Sequence, residues 1–137
     1  VPDLPNQPQP AFKPMKELEI RNANANPAPD NKELSAVLNM AIADAKQALK
    51  LVRENSAQWN VDPNRIGIMG FSAGGGVAVG TVLAEKTNAS PNFIISVYGP
   101  SLMDVHLPEH APPLFIAVGA THFNVTQGCL ALFSAWK

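Results

Sequence analysis

Residues 62–76 read DPNRIGIMGFSAGGG, and this stretch decides the fold. The apolar run over 65–71 has no helical period and predicts a buried β-strand. From residue 73 to about residue 86 the chain is rich in small and apolar residues, which predicts a helix. Between the two, residues 70–74 spell GFSAG. They match G-x-S-x-G in the strand-to-helix setting that this motif requires.

Steric constraints explain why this motif places small residues around a serine, and they indicate that the serine is a nucleophile. A sharp strand-to-helix turn forces its central residue, Ser72, into a strained conformation, so we expect side chains to be excluded at Gly70 and Gly74. The turn raises the serine hydroxyl above the sheet and leaves helix-start N–H groups free to face a developing oxyanion. Small residues where a helix packs tightly on a strand are the alternative interpretation. A phosphate loop is disfavoured, because the chain lacks the P-loop lysine and the G-x-G-x-x-G spacing.

The flanking sequence supplies further helices and strands. Apolar residues after residue 31 recur at spacings of three and four and predict an amphipathic helix that ends near residue 59. Apolar runs over 93–99 and 113–120 predict two more strands, and 124–136 fits a final helix. Strands that are apolar on both faces and alternate with helices predict an α/β fold, a three-layer α/β/α domain with a small, mainly parallel sheet. The predicted buried stripe of the first helix comprises Leu34, Val37, Leu38, Ala41, Ile42, Ala45, Ala48, Leu49 and Val52.

Composition limits the chain to one domain and a few classes of function. The 137 residues include thirteen prolines, seven of them within the first thirty residues. We therefore expect residues 1–30 to form an extended Pro-rich arm and residues 31–137 to form the domain. A net charge of -1 gives no support to a nucleic-acid or membrane surface. A single cysteine excludes an internal disulfide and a multi-cysteine zinc site. The chain shows neither a membrane-length apolar run nor a secretory signal, and its compartment is not indicated.

Three segments carry a family resemblance: 59–75 (WNVDPNRIGIMGFSAGG), 92–101 (NFIISVYGPS) and 112–120 (PPLFIAVGA). Together they resemble the α/β-hydrolase esterases, in particular acetyl-xylan esterase-like and carbohydrate esterases. The resemblance implies a partial α/β-hydrolase fold and hydrolysis of short acyl esters, acetyl esters of carbohydrate among them, through an acyl-enzyme. It further implies Ser72 as nucleophile, the Ala73 N–H as one oxyanion donor, and no metal or organic cofactor.

The resemblance covers about residues 40–120, and two family elements are missing from it. No HGGG-type loop, which would supply the second oxyanion donor, precedes Ser72. The family places an acid after the strand that resembles PLFIAVGA, whereas Thr121 and His122 stand there, and it places its histidine after one more strand. Three interpretations stay open: a fragment, a natural miniature completed by another subunit, or a triad rebuilt from residues at hand.

The rebuilt triad would use Asp104 and His122. Asp104 follows the second predicted strand and His122 the third, and the carboxyl ends of parallel strands meet at one sheet edge. The order Ser72, Asp104, His122 is also the chain order of this fold. His122 would then act as general base, oriented by Asp104, with Glu109 as a less favoured acid.

The sequence thus predicts a serine carboxylesterase. Gly70, Phe71 and Gly74 form the nucleophile elbow, the strand-to-helix turn around Ser72. A peptidase or lactone hydrolase on the same fold, and a catalytically incomplete remnant that binds a partner, are the alternatives. A homo-oligomer is expected, because a three-stranded sheet leaves an open edge. A metal site at His106 and His110, with Asp104 and Glu109, is disfavoured, because such residues in a surface loop are usually solvated.

Overall fold

The computed structural model describes residues 32–84, 90–121 and 123–137. The predicted arm over 1–30 and the predicted base His122 lie outside the described residues, as does the side chain of Leu34. Among the described residues, no helix combines the length and apolar character needed to cross a bilayer. The elements in chain order are α1 (Lys32–Glu54), α2 (Ser56–Trp59), β1 (Gly67–Phe71), α3 (Ala73–Leu83), β2 (Phe93–Val97), β3 (Leu114–Ala117) and α4 (Phe123–Ala135).

The three strands form one parallel sheet in the order β1-β2-β3. Gly70 of β1 pairs with Ser96 of β2, which pairs in turn with Ile116 of β3. Parallel neighbours need a crossover connection, and α3 provides it between β1 and β2. The structure therefore confirms an α/β fold with a small parallel sheet, as expected for part of an α/β-hydrolase.

One face of the sheet carries the core. Its centre is a cluster of buried residues from α3, β2 and α4: Ala78, Val79, Val82, Ile94 and Leu132. On the opposite face Met69 is 54% exposed and Phe115 61% exposed, and Phe71 and Phe93 are exposed as well. The expectation of strands buried on both sides thus holds for one face. Within the described part of the chain, nothing forms a second helical layer over the other.

The first helix is interrupted where the sequence predicted it to continue. α1 ends at Glu54, and the short α2 follows as a separate turn. Asn55, between them, turns its side-chain amide back and donates to the Leu51 carbonyl at 2.8 Å. An asparagine that bonds local backbone competes with the helical pattern. Asn60, with φ 54, ends α2 in the left-handed conformation that asparagine tolerates.

The buried stripe of α1 is narrower than its apolar pattern predicts. Leu38, Ile42 and Leu49 are buried, whereas Val37 is 53% exposed. Ile42 lies so close to Gly80 of α3 that a side chain at Gly80 would overlap it. Because α3 presents a small residue there, the two helices approach closely. The part of α1 that is buried is therefore narrow, and Val37 lies beyond it on the exposed side of the helix.

A polar contact fixes the chain where it enters β1. Arg53 of α1 donates to the carbonyl oxygens of Pro63, at 3.2 Å, and Ser90, at 3.1 Å. The Asn92 side-chain oxygen accepts the Ile66 N–H at 3.1 Å and an Arg53 N–H at 3.3 Å. These bonds tie α1 to the entrances of both β1 and β2. They therefore fix the start of β1. Through the length of that strand they also fix the position of the G-x-S-x-G turn at its other end.

Candidate active site

Ser72 occupies the turn between β1 and α3, which we call the serine turn. Its backbone has a strained conformation. Its φ is 51° and its ψ is −125°, in a region that residues with a Cβ rarely adopt. The Ser72 N–H donates to the Val97 carbonyl at 3.0 Å, and the Ser72 carbonyl accepts the N–H groups of Gly75 at 2.9 Å and Gly76 at 3.3 Å. The backbone is thus held on both sides. Ser72 itself is exposed, and its hydroxyl makes no capping hydrogen bond.

The two glycines of the motif have different surroundings. A Cβ at Gly70 would overlap the Gly74 carbonyl, so the turn excludes a side chain there, as the motif predicts. A Cβ at Gly74 would meet nothing within 4 Å. The expectation that the turn requires a missing side chain at Gly74 is therefore wrong. The position faces open space beside the exposed Ser72 rather than a packed neighbour.

The start of α3 offers donors for a negative charge next to Ser72. As the first two residues of the helix, Ala73 and Gly74 have no intrahelical acceptor for their N–H groups. The N-terminal end of a helix also carries a partial positive charge. An oxyanion formed on a carbonyl carbon bonded to the Ser72 oxygen would lie near these donors. The arrangement can therefore stabilise charge that develops in acyl transfer.

A second strained turn supports the serine from the side of β2. Tyr98, directly after β2, has φ 42 and donates its N–H to the Ala117 carbonyl at 2.6 Å. Its ring centroid lies 6.2 Å from that of Phe71, the residue before the serine. Two residues with positive φ, Ser72 and Tyr98, thus follow neighbouring strands at the same sheet edge. The sequence analysis did not single out Tyr98.

Ser96 and Gly99 complete this second turn. The fully buried Ser96 hydroxyl donates to the Gly99 carbonyl at 2.6 Å. A Cβ at Gly99 would lie 2.5 Å from the Ser72 carbonyl oxygen and 2.6 Å from the Gly75 Cα. Gly99 therefore packs its backbone directly against the serine turn. The signal in the sequence was a serine inside an apolar strand and a glycine just after it.

The loop after β2 leads away from Ser72. Leu102 lies over Gly76, where a side chain would overlap it, and the methyl end of Met103 lies 3.9 Å from a Cβ built at Gly80, one helical turn further on. Asp104 follows on the exposed surface, as does Glu109. Within the described residues no hydrogen bond or ion pair joins Asp104 to the serine turn. The predicted grouping of Ser72, Asp104 and His122 stays a prediction, because His122 lies outside the described residues.

The described residues contain no group of three or more His, Cys, Asp or Glu side chains that could hold a metal ion. His106 and His110 are exposed in the loop between β2 and β3. Cys129 is buried in α4, and this burial raises the pKa of its thiol. A raised pKa keeps the thiol protonated at neutral pH, so Cys129 has none of the properties of a reactive cysteine.

The parallel sheet and the crossover helix that follows Ser72 define part of an α/β fold. The chain belongs to the BD-FAE family, whose model matches residues 31–106, more than half of the chain. A stretch of 63 residues is 38% identical to an acetylxylan esterase from Xylanibacter ruminicola. That stretch makes up 46% of this chain and only 13% of the relative's length. No solved structure matches the chain significantly.

Proposed function

We propose that this chain carries the nucleophile of a serine esterase that hydrolyses short acyl esters, acetyl esters of carbohydrate among them. The observation that carries the proposal is the conformation of Ser72. A residue with a Cβ is held at φ 51° between a strand and a helix, with its side chain exposed. Backbone strain of this kind costs about 1–3 kcal/mol and clusters at functional sites. Membership of an esterase family and the acetylxylan esterase relative support the reaction class.

The reaction would proceed by acyl transfer. Ser72 Oγ attacks the ester carbonyl carbon, its proton passes to a base, and the carbonyl π electrons move onto the oxygen. The Ala73 N–H is proposed as a donor to that oxyanion. Collapse of the intermediate expels the alcohol, which takes up the proton from the base, and water then cleaves the acyl-enzyme. His122 is proposed as the base. Asp104 stays the candidate acid from the sequence, and no contact among the described residues joins it to Ser72.

The test is hydrolysis of p-nitrophenyl acetate by the whole chain and by Ser72→Ala. Ser134→Ala, at an exposed position of α4, is the matched control. We expect the Ser72 variant to lose the rate and the control to keep it. Stoichiometric labelling by a fluorophosphonate probe should show the same pattern. A rate that survives Ser72→Ala would refute the proposal, provided that circular dichroism shows both variants folded.

Binding without turnover is the second candidate. It is favoured by the course of the loop after β2, which passes along α3, with Leu102 at Gly76 and Met103 near Gly80, before it reaches Asp104. A chain that neither hydrolyses the ester nor reacts with the fluorophosphonate would support it.

A peptidase or a lactone hydrolase would use the same serine, so a panel of amide and lactone substrates separates these from the esterase. The expected homo-oligomer stays a proposal that light scattering at micromolar concentration tests.

A further inference from the structure

The covered face of the sheet contains one polar side chain directly beneath the serine turn. Ser96 pairs with Gly70 in the strand register and is fully buried. A buried hydroxyl requires a hydrogen-bond partner, and here the partner is the Gly99 carbonyl at 2.6 Å. A Cβ built at Gly75 would lie 2.6 Å from the Ser96 oxygen. The hydroxyl therefore bonds to the turn after β2 and lies close to Gly75 of α3, whose N–H donates to the Ser72 carbonyl.

The Ser96 bond closes the turn that contains Tyr98. Tyr98 has φ 42, a conformation unfavourable for a residue with a bulky side chain, so the surrounding contacts must hold it. The bond from Ser96 to the Gly99 carbonyl, three residues on, is such a contact. The bond from the Tyr98 N–H to the Ala117 carbonyl is another. With the turn closed, the Gly99 Cα is pressed against the Ser72 carbonyl and the Gly75 backbone.

We propose that Ser96 is a positioning residue for Ser72: its hydroxyl holds the turn after β2 against the serine turn and so fixes the strained backbone of Ser72. This inference rests on the proposed function, because positioning matters only if Ser72 reacts. Ser96 lies below the site and touches no substrate. Its effect passes through Gly99, whose lack of a side chain allows the contact.

The chain offers a matched control in Ser101. It is also a fully buried serine, and its hydroxyl also donates to a nearby backbone carbonyl, that of Met103, at 2.5 Å. No described hydrogen bond of Ser101 involves the serine turn. Ser96→Ala leaves the buried Gly99 carbonyl without its partner. Ser101→Ala leaves the partly buried Met103 carbonyl without its donor and the Met103 N–H, which donates to the Ser101 oxygen at 3.3 Å, without its acceptor. Ser101→Ala thus removes at least as many hydrogen bonds as Ser96→Ala, but only Ser96→Ala loosens the support of Ser72.

The first measurement is the kinetics of p-nitrophenyl acetate hydrolysis, normalised to folded protein. Misplacement of reacting groups by about 1 Å can lower a rate by about a hundredfold, so we expect Ser96→Ala to lower kcat by about tenfold or more. We expect KM to stay within about twofold, because Ser96 does not contact substrate. Ser101→Ala should keep kcat. Equal kcat values for the two variants would overturn the inference, since Ser96 would then act on stability alone.

The second measurement does not depend on activity. Residue-resolved amide exchange by NMR on the whole chain reports the Ser72 and Gly75 N–H groups, which donate to Val97 and Ser72. We expect Ser96→Ala to accelerate exchange at both amides by about tenfold or more, and Ser101→Ala to leave them unchanged. If the unmodified chain shows no Ser72-dependent hydrolysis, the proposed function fails. The exchange data then decide the positioning: unchanged protection in Ser96→Ala overturns it, and loss of protection supports it.

Discussion

Gly74 and Gly75 are adjacent in α3 but have opposite surroundings, so alanine should change the free energy of unfolding in opposite directions at the two positions. A Cβ at Gly74 would meet no atom within 4 Å. Because alanine has less backbone freedom to lose on folding than glycine, we expect Gly74→Ala to raise the free energy of unfolding by about 0.5–1 kcal/mol.

At Gly75 the added methyl group has no room. Its Cβ would lie 2.6 Å from the Ser96 oxygen, 2.9 Å from the Gly99 Cα and 3.2 Å from the Gly70 carbonyl. Two of these three neighbours are backbone, so they cannot move aside by a change of rotamer. Forcing a group into a filled core costs about 1–3 kcal/mol. After the gain in helix propensity of about 1 kcal/mol is subtracted, the net change is a loss of up to about 2 kcal/mol.

Urea denaturation followed by far-UV circular dichroism measures both variants against the unmodified chain. A change in the midpoint at constant slope reports stability alone. Since the two substitutions are chemically identical and one residue apart, effects on the unfolded state largely cancel. A Gly75→Ala protein as stable as Gly74→Ala would refute the reasoning, because it would mean that the contacts around Gly75 yield without cost.

Three further predictions concern the core and the strand entrances. Leu132→Ala should lower the free energy of unfolding by about 2–5 kcal/mol, because Leu132 lies at the centre of the core. The exposed Leu130 is its control in the same urea titration. Because burial raises the pKa of the Cys129 thiol above its ordinary value, the thiol should react with iodoacetamide far more slowly in the native chain than in urea. Stability should also fall as pH rises through 9, where the unfolded thiol ionises and the folded one does not. Equal alkylation rates would contradict that burial. Asn92→Ala should cost about 1–3 kcal/mol in thermal unfolding, because it leaves the Ile66 N–H without its acceptor. An unchanged melting curve would count against this role.

The strands and the turn between β1 and α3 were predictable because their signals are local. An apolar run without helical period, followed by G-x-S-x-G and small residues, occupies a few consecutive positions. The predicted strand over 65–71 starts two residues before the observed Gly67–Phe71. The predicted helix from residue 73 to about 86 includes α3, which ends at Leu83, and residues 85–89 lie outside the described ones.

The burial of individual side chains was less predictable, because it depends on the partner surface. The apolar pattern of α1 does not distinguish Val37 from Leu38, yet only Leu38 is buried. This difference in burial depends on α3, where Gly80 has no side chain and Ile42 of α1 packs directly against it. Likewise, a strand without polar residues has no alternating pattern, so its sequence does not show which face is buried and which is exposed. The exposure of Met69 became visible only in the folded sheet.

The support of the serine turn could not be predicted from any one segment. Ser96 and Gly99 reach Ser72 only through the register that places Gly70 beside Ser96. That register is a contact between residues far apart in sequence, and no spacing rule within one strand reveals it. The serine in β2 therefore had no special meaning until the two strands were aligned.

The glycine content of α3 has a consequence for the order in which the chain folds. Four of its eleven residues are glycine. Relative to alanine they disfavour the isolated helix by about 3–4 kcal/mol, and helices this short are marginal even with good helix formers. We therefore expect α3 to form only after β1, β2 and α1 have come together around it. The backbone of Ser72, which depends on that helix, would be among the last parts of the domain to reach its native conformation.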